Sequence, residues 1–426
     1  MRIAFVAQPF ERMQPPVQSG SLALWIYYMA RICAARGHEV YVFGNNGGTL
    51  LARTISEDGV HYVFPATAVD RAINTALARV KQKNGIPEFA HTQHHWGYAW
   101  AVARKVKQLR CEVVHVMNYS QFVPVLRRMA PECKISLHMQ CEWLTQLQPE
   151  TMRSRVAKTD LIVGCSQYIT NLIASKFPEY ANRCVTVPNA TDAPEIQQPY
   201  KHSSKNVLFV GRLSPEKGIH DLIQAFHQVL RSEPDAKLHL VGGAGSAPLE
   251  FLVGLSDQPH VTDLKRFYTH SHSDSGKDPY LEELETRAGT ELGRRIFFHG
   301  TVPHSAIESF YGDAAVLVNP SLSESFGISL VEAMVRRIPV VATRIGGMSF
   351  TVDHDATGLL VPPADPGALA IAITDILSNE PRARRMGSAG YLKVVTNFTW
   401  DRTSTLLLEH FDGVVHGEPI AFEAAD

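Results

Sequence analysis

The stretch Val207-Leu208-Phe209-Val210-Gly211-Arg212-Leu213-Ser214-Pro215-Glu216-Lys217-Gly218 decides the fold class. Four apolar residues in a row read as a strand buried on both faces, since a strand with one wet face would alternate. Gly211 ends the run, and Pro215 fits the first turn of a helix. An amphipathic pattern follows near Ile219–Leu230, then a second apolar run at Lys237–Val241. Strand, helix, strand is the unit of a parallel α/β sheet. Apolar runs at Ile296–His299, Ala315–Asn319 and Pro339–Ala342 extend the same rhythm.

The first half reads the same way. Arg2–Ala7 is an apolar strand and Gln8–Gly20 a loop rich in Pro, Gln and Gly. Ser21 is placed to cap a helix reaching about Arg36, and Gly37 to end it. Further strands are expected at Glu39–Phe43, Val113–Met117, Lys134–His138, Leu161–Cys165 and Val185–Val187. Thr191–Asn206 is polar, with two prolines and a Lys-His-Ser-Ser-Lys run, and reads as a linker. The fold class is therefore α/β, with two Rossmann-like domains and a cleft between them. The expected domains are residues 1–195 and 206–400, with a last helix at about 401–426 packing back on the first.

Composition narrows the class of function. With 426 residues and 45% hydrophobic side chains, the chain can bury more than one core. No apolar run reaches membrane-spanning length, and the N-terminal run is too short for a signal peptide. Six cysteines, all in the first half and none in a CxxC pair, fit buried thiols in a reducing cytoplasm. A net charge of −1 argues against a general nucleic-acid binder. Residues 1–200 carry 21 Lys and Arg against 14 Asp and Glu, and the remainder 20 against 28. A basic first half suits an anionic partner, such as the inner face of a membrane or a lipid phosphate; ordinary variation in surface charge suits it equally.

Four constellations carry chemistry. Arg212 and Lys217 follow a strand and flank a helix start, which suits a diphosphate. In Asn319-Pro320-Ser321-Leu322-Ser323-Glu324-Ser325-Phe326-Gly327-Ile328-Ser329-Leu330-Val331-Glu332, a polar loop runs into a helix with carboxylates eight residues apart. Each carboxylate can accept two hydrogen bonds from a vicinal diol, so the pair suits the two ends of an extended ligand; it suits equally a helix-start Glu on the dipole and a solvated helical Glu. Gly20 lets backbone approach a ligand at a helix start. His138, just after Lys134-Ile135-Ser136-Leu137, is a ligand contact at a strand end or a packed core histidine. His270, His272 and Asp274 are too loosely spaced to read as a metal site, and Asp353-His354-Asp355 reads as a polar turn. No metal or other cofactor is expected. Trp96, Tyr98, His94 and His95 cluster near a loop, where a sugar or lipid acceptor, the core or the surface would claim them.

These residues resemble family 4 of the retaining glycosyltransferases, which have the GT-B fold. The likeness runs over nearly the whole chain. It is strongest from Val207 to Glu332 and onward through Pro339-Val340-Val341-Ala342-Thr343, Gly346-Gly347 and Thr357-Gly358-Leu359-Leu360-Val361-Pro362. The resemblance implies that Arg212 and Lys217 clamp the donor diphosphate and that Glu332 binds the ribose. It implies that Glu324 holds the donor sugar, helped by backbone amides of Ser325, Phe326, Gly327 and Ile328. His138 matches the family histidine that touches the sugar, Gly20 the glycine-rich loop, and Val302 the backbone position that meets the base. The chain departs from the pattern at Ser19-Gly20, at Asn189-Ala190, and at Phe350, where a Glu often follows the Gly-Gly turn. An insertion between Gly245 and Asp278 is similar to those in the branch related to sucrose-phosphate synthases, which favours UDP-glucose.

The expected activity is transfer of a hexosyl group from a nucleoside diphosphate sugar to a carbohydrate or lipid-linked acceptor, with retention, in polysaccharide or glycoconjugate synthesis. A non-catalytic sugar-nucleotide-binding protein is one rival. A Rossmann-type oxidoreductase is another, but the sequence lacks the GxGxxG such an enzyme needs. The expected location is cytoplasmic, with peripheral membrane contact.

Overall fold

The structure is a computed structural model and describes residues 1–17, 20–45, 51–67, 70, 73–75, 87–194, 200–268 and 277–418. The chain divides into Met1–Asn189 with Trp400–Asp426, and Ala190–Thr399.

The first unit is built on an eight-stranded sheet. Its strands are β1 (Arg2–Val6), β2 (Glu39–Phe43), β3 (Arg53–Glu57), β4 (Val60–Phe64), β5 (Val113–Met117), β6 (Lys134–Met139), β7 (Leu161–Gly164) and β8 (Cys184–Thr186). Their order is β3-β4-β2-β1-β5-β6-β7-β8. All pairings are parallel except the antiparallel edge pair β3–β4. That pair was missed in the sequence because Arg53–Glu57 lies on the wet edge and has no apolar run. Helix Trp400–His416 buries Leu407 and Phe411 in this unit's core beside Ile3 and Phe5, and Arg36 pairs with Asp401 at 2.6 Å.

The second unit holds β9 (Asn206–Val210), β10 (Lys237–Val241), β11 (Ile296–Gly300), β12 (Val316–Asn319), β13 (Val340–Thr343) and β14 (Gly358–Val361). The order is β11-β10-β9-β12-β13-β14, and every neighbouring pair is parallel. The chain reverses its winding between β9 and β12, so the carboxyl ends of these strands frame a switch-point crevice. Helix Ile219–Ser232 covers the sheet with Ile219, Leu222, Ile223, Phe226 and Val229, one stripe at helical spacing.

Several local expectations change. Ser21 is the first helical residue rather than the cap. Gly20 holds the cap position at φ +88°, a left-handed conformation that a side chain would strain. Pro215 opens a separate 3-10 turn, Pro215–Lys217, and Gly218 redirects the chain before the α-helix begins. The stretch read as a linker is packed from Tyr200 onward. Tyr200 donates to the Ala315 carbonyl at 2.6 Å, and buried His202 bonds the Ile376 carbonyl at 2.9 Å. Part of the insertion is folded too: Val253, Val261 and Leu264 form a small core with Leu322. His270, His272 and Asp274 lie outside the described residues.

Buried histidines make stability depend on pH. Burial lowers His138 and His220 to about 3 and His239 to about 4, and holds His115 well below its ordinary value. The unfolded chain takes up these protons near pH 6.5 and the folded chain does not, so acid favours unfolding. Asp221, raised to about 6 by burial, opposes one of them. The net expectation is a melting temperature that falls steadily from pH 6.5 towards 4.5. Each such histidine contributes a slope of up to about 1.4 kcal/mol per pH unit. Calorimetric scans across that window test this, and a flat profile would contradict it.

Candidate functional site

In the second unit, the loops leaving β9 and β12 meet at the switch point. The Leu322 amide donates to the Glu216 carbonyl at 2.8 Å, tying one loop to the other. Across this junction Lys217 Nζ lies 2.7 Å from Glu324 Oε2, with both side chains mostly buried. Burial disfavours the Glu324 carboxylate. Lys217 and the amides of Phe326 and Ser325 outweigh it, leaving the carboxyl more acidic than usual. Glu324 is therefore ionised at neutral pH, and the Ser325 amide is turned onto its Oε1 at 3.1 Å.

Arg212 is exposed, and its guanidinium reaches Glu216 Oε1 at 2.6 Å. Glu216 is only 2% exposed and also accepts from the Ser214 hydroxyl at 2.6 Å. Glu216 went unassigned in the sequence, although its i,i+4 spacing from Arg212 was there to be read. This ion pair holds the Arg212 guanidinium against its own loop.

Glu332 lies on helix Ile328–Met334, and its Oε2 accepts from the Tyr311 hydroxyl at 2.6 Å. Burial and the neighbouring Glu332 raise the Tyr311 phenol, so it stays a donor at neutral pH. No sequence signal links these two residues, which stand 21 positions apart. Val302 is in the turn after β11, at the same carboxyl edge of the sheet. Gly346-Gly347 follows β13 and supports the Glu324 loop from below: the Gly347 amide donates to the Glu324 carbonyl at 3.0 Å. Thr351 Oγ1 donates to the Phe326 carbonyl at 2.7 Å. Phe350 packs against Phe326 and Phe398, so an apolar ring stands where the family pattern often has an acid.

The first unit gives a different picture of His138. It lies inside β6 and is fully buried, as the packed-histidine alternative has it. Its Nδ1 faces His115 Nε2 at 3.1 Å and its Nε2 faces the Gln140 amide at 2.9 Å. His115 continues to Ser136 Oγ at 2.9 Å, and Gln140 pairs with Asn189 through two amide contacts of 2.8 and 2.9 Å. Trp25 meets the His138 ring edge-on at 4.8 Å. Gln140 therefore takes up the hydrogen-bonding position at Nε2. Gly20, at its helix start, follows β1 in the same unit.

Among the described residues, no group of three His, Cys, Asp or Glu side chains is arranged to hold a metal ion. Asp353 pairs with Lys393 at 2.8 Å, and Asp355 pairs with Arg382. Tyr98 leaves the suggested acceptor cluster: it is fully buried and bonds the Phe43 carbonyl at 2.9 Å.

Comparison with known proteins fits this arrangement. Residues 192–393 match the family described as glycosyl transferases group 1, and residues 22–194 match Glycosyltransferase Family 4. The chain belongs to the family 4 glycosyltransferases, with the GT-B fold. A relative is the spore coat protein SA of Bacillus subtilis, 24% identical over 97% of this chain and 99% of that one. Sucrose-phosphate synthase from Thermosynechococcus elongatus superposes with a TM-score of 0.69 at 20% identity, covering 98% of this chain and all of the other. HepE of Anabaena, solved in complex with UDP and glucose, superposes with a TM-score of 0.65 at 18% identity, covering 97% and 100%. As a family 4 glycosyltransferase, the chain is an enzyme that uses a nucleoside diphosphate sugar, which sets aside the oxidoreductase reading. Among the described residues no helix is long and apolar enough to cross a membrane.

Proposed function

We propose that this glycosyltransferase moves a glucosyl group from UDP-glucose to a hydroxyl of a carbohydrate or lipid-linked acceptor, with retention at the anomeric carbon and without a metal ion. The observation that carries the reading is the 2.7 Å contact between Lys217 and Glu324. The bond to be broken joins the diphosphate to the sugar. A cation for the phosphates and a carboxylate for the sugar hydroxyls must therefore stand side by side. The HepE complex, with UDP and glucose on the same fold, supports the choice of donor.

On this reading the acceptor oxygen bonds the anomeric carbon on the face the diphosphate leaves. The departing oxygen keeps the electron pair of the broken bond, and the acceptor proton passes to the diphosphate. Lys217 and Arg212 neutralise the growing charge, which is the task a metal performs elsewhere. Glu332 binds the ribose and Val302 borders the base. His138, in the first unit, is held neutral by burial, a hydrogen-bonding group rather than a cation.

Calorimetric titration with UDP-glucose, GDP-mannose and ADP-glucose tests the donor, and tighter binding of either rival refutes it. Transfer should survive EDTA. Activity that disappears with chelator and returns with Mg²⁺ overturns the role given to the two cations. Glu332→Ala should weaken plain UDP roughly tenfold or more, the loss of a charged hydrogen bond. Tyr311→Phe should weaken it less, because Tyr311 only orients the acid. Equal effects would place the ribose contact elsewhere.

A further inference from the structure

The first unit carries an exposed aromatic and basic face. Helix Trp96–Leu109 begins where buried Asp70 accepts from the amides of Gly97 and Tyr98 at 2.6 and 2.8 Å. Tyr98 turns into the core, which leaves Trp96 and Trp100 outside at 43% and 40% exposure. With Pro124, Val125, Arg128 and Met129 of the adjoining helix Val123–Met129, they line an open groove of about 430 Å³. Arg104 continues the stripe one turn on, its guanidinium 5.7 Å from the Trp100 ring. Arg104, Lys107 and Arg128 are all exposed. From Phe89 to Cys111, and again from Val123 to Pro131, the sequence holds no Asp or Glu.

We infer that this face docks on an anionic lipid bilayer, with Trp96 and Trp100 in the headgroup layer and the cations on lipid phosphates. Charge selects the occupant. A second copy of the chain would set the same cations against each other across a twofold axis. A neutral sugar calls for carboxylates and amides to read its hydroxyls, and the groove lines up cations instead. Indole rings beside Lys and Arg are the composition of a membrane-interface surface, where the ring stays half wet and the cation meets anionic headgroups. Both helices start at the carboxyl edge of the sheet, the edge that also carries Gly20, so docking holds that edge close to the bilayer. The inference does not depend on which donor is used.

The test is binding of the whole protein to vesicles of phosphatidylglycerol with phosphatidylcholine, against phosphatidylcholine alone. Binding should require the anionic lipid and weaken with salt. Brominated lipid should quench the tryptophan emission. Trp96→Phe/Trp100→Phe should abolish the quenching while leaving the melting temperature unchanged. Arg104→Glu/Arg128→Glu should weaken binding by more than about 20-fold, from roughly fivefold per cation. Equal binding to both vesicle types, no binding at low salt, or quenching that survives in the Phe variant would each overturn the proposal. So would a fluorescence response to soluble oligosaccharide in place of vesicles.

Discussion

Glu324→Ala should bind plain UDP at least as tightly as the native enzyme, while its turnover with the sugar donor falls about a hundredfold or more. The two effects have one cause. In the native protein Lys217 is held 2.7 Å from Glu324, so part of its charge is already spoken for. Removing the carboxylate frees the ammonium for the diphosphate, and UDP carries no sugar to miss the acid. With the full donor, the hydroxyls lose an ionised partner, and charged hydrogen bonds contribute roughly 1.5–3 kcal/mol each. Two of them account for the loss in rate. Lys217→Ala should behave differently, lowering both UDP affinity and turnover. Calorimetry with UDP and steady-state kinetics on the two variants decide the matter. If Glu324→Ala loses UDP affinity in step with turnover, the acid serves the nucleotide and the roles proposed above are wrong.

Gly347→Ala should nearly abolish activity although residue 347 touches no proposed ligand. A Cβ at this position would sit 1.8 Å from the Ser325 carbonyl oxygen and 2.7 Å from the Phe326 nitrogen, both backbone atoms. Neither can rotate away as a flexible side chain would. The Glu324–Phe326 loop must lift, breaking the 3.0 Å bond from the Gly347 amide to the Glu324 carbonyl. A loss of stability of about 1–3 kcal/mol is expected from such overpacking, together with a displaced Glu324. Thermal unfolding and kinetics measured together test the claim. Native turnover in Gly347→Ala would show that the loop does not depend on this turn.

The sequence by itself determined the α/β class and most of the parallel strands of both units. Each follows from a short-range signal. Val207–Val210 is apolar throughout because a parallel central strand is covered on both faces. Ile219–Ser232 repeats its apolar residues at helical spacing because one face meets the sheet. Arg212, Lys217 and Glu324 stood out because they follow strand ends, where loops of such a sheet converge, and Glu332 by its spacing from Glu324 on the helix that follows. The edge strand Arg53–Glu57 escaped notice because an edge has little to bury.

Tertiary structure alone decided how these residues are paired. That Lys217 meets Glu324, 107 positions away, depends on β9 and β12 lying side by side at the switch point. That Tyr311 meets Glu332 depends on packing between two helices. The burial of His138 depends on Trp25 and His115, brought from two separate segments. Tyr98 and Trp96 are two residues apart and equally aromatic in the sequence, yet one is core and the other faces solvent. Side-chain periodicity sorts residues by face within one element. Which partner covers that face is fixed by long-range closure of the sheet, and local sequence carries no trace of it.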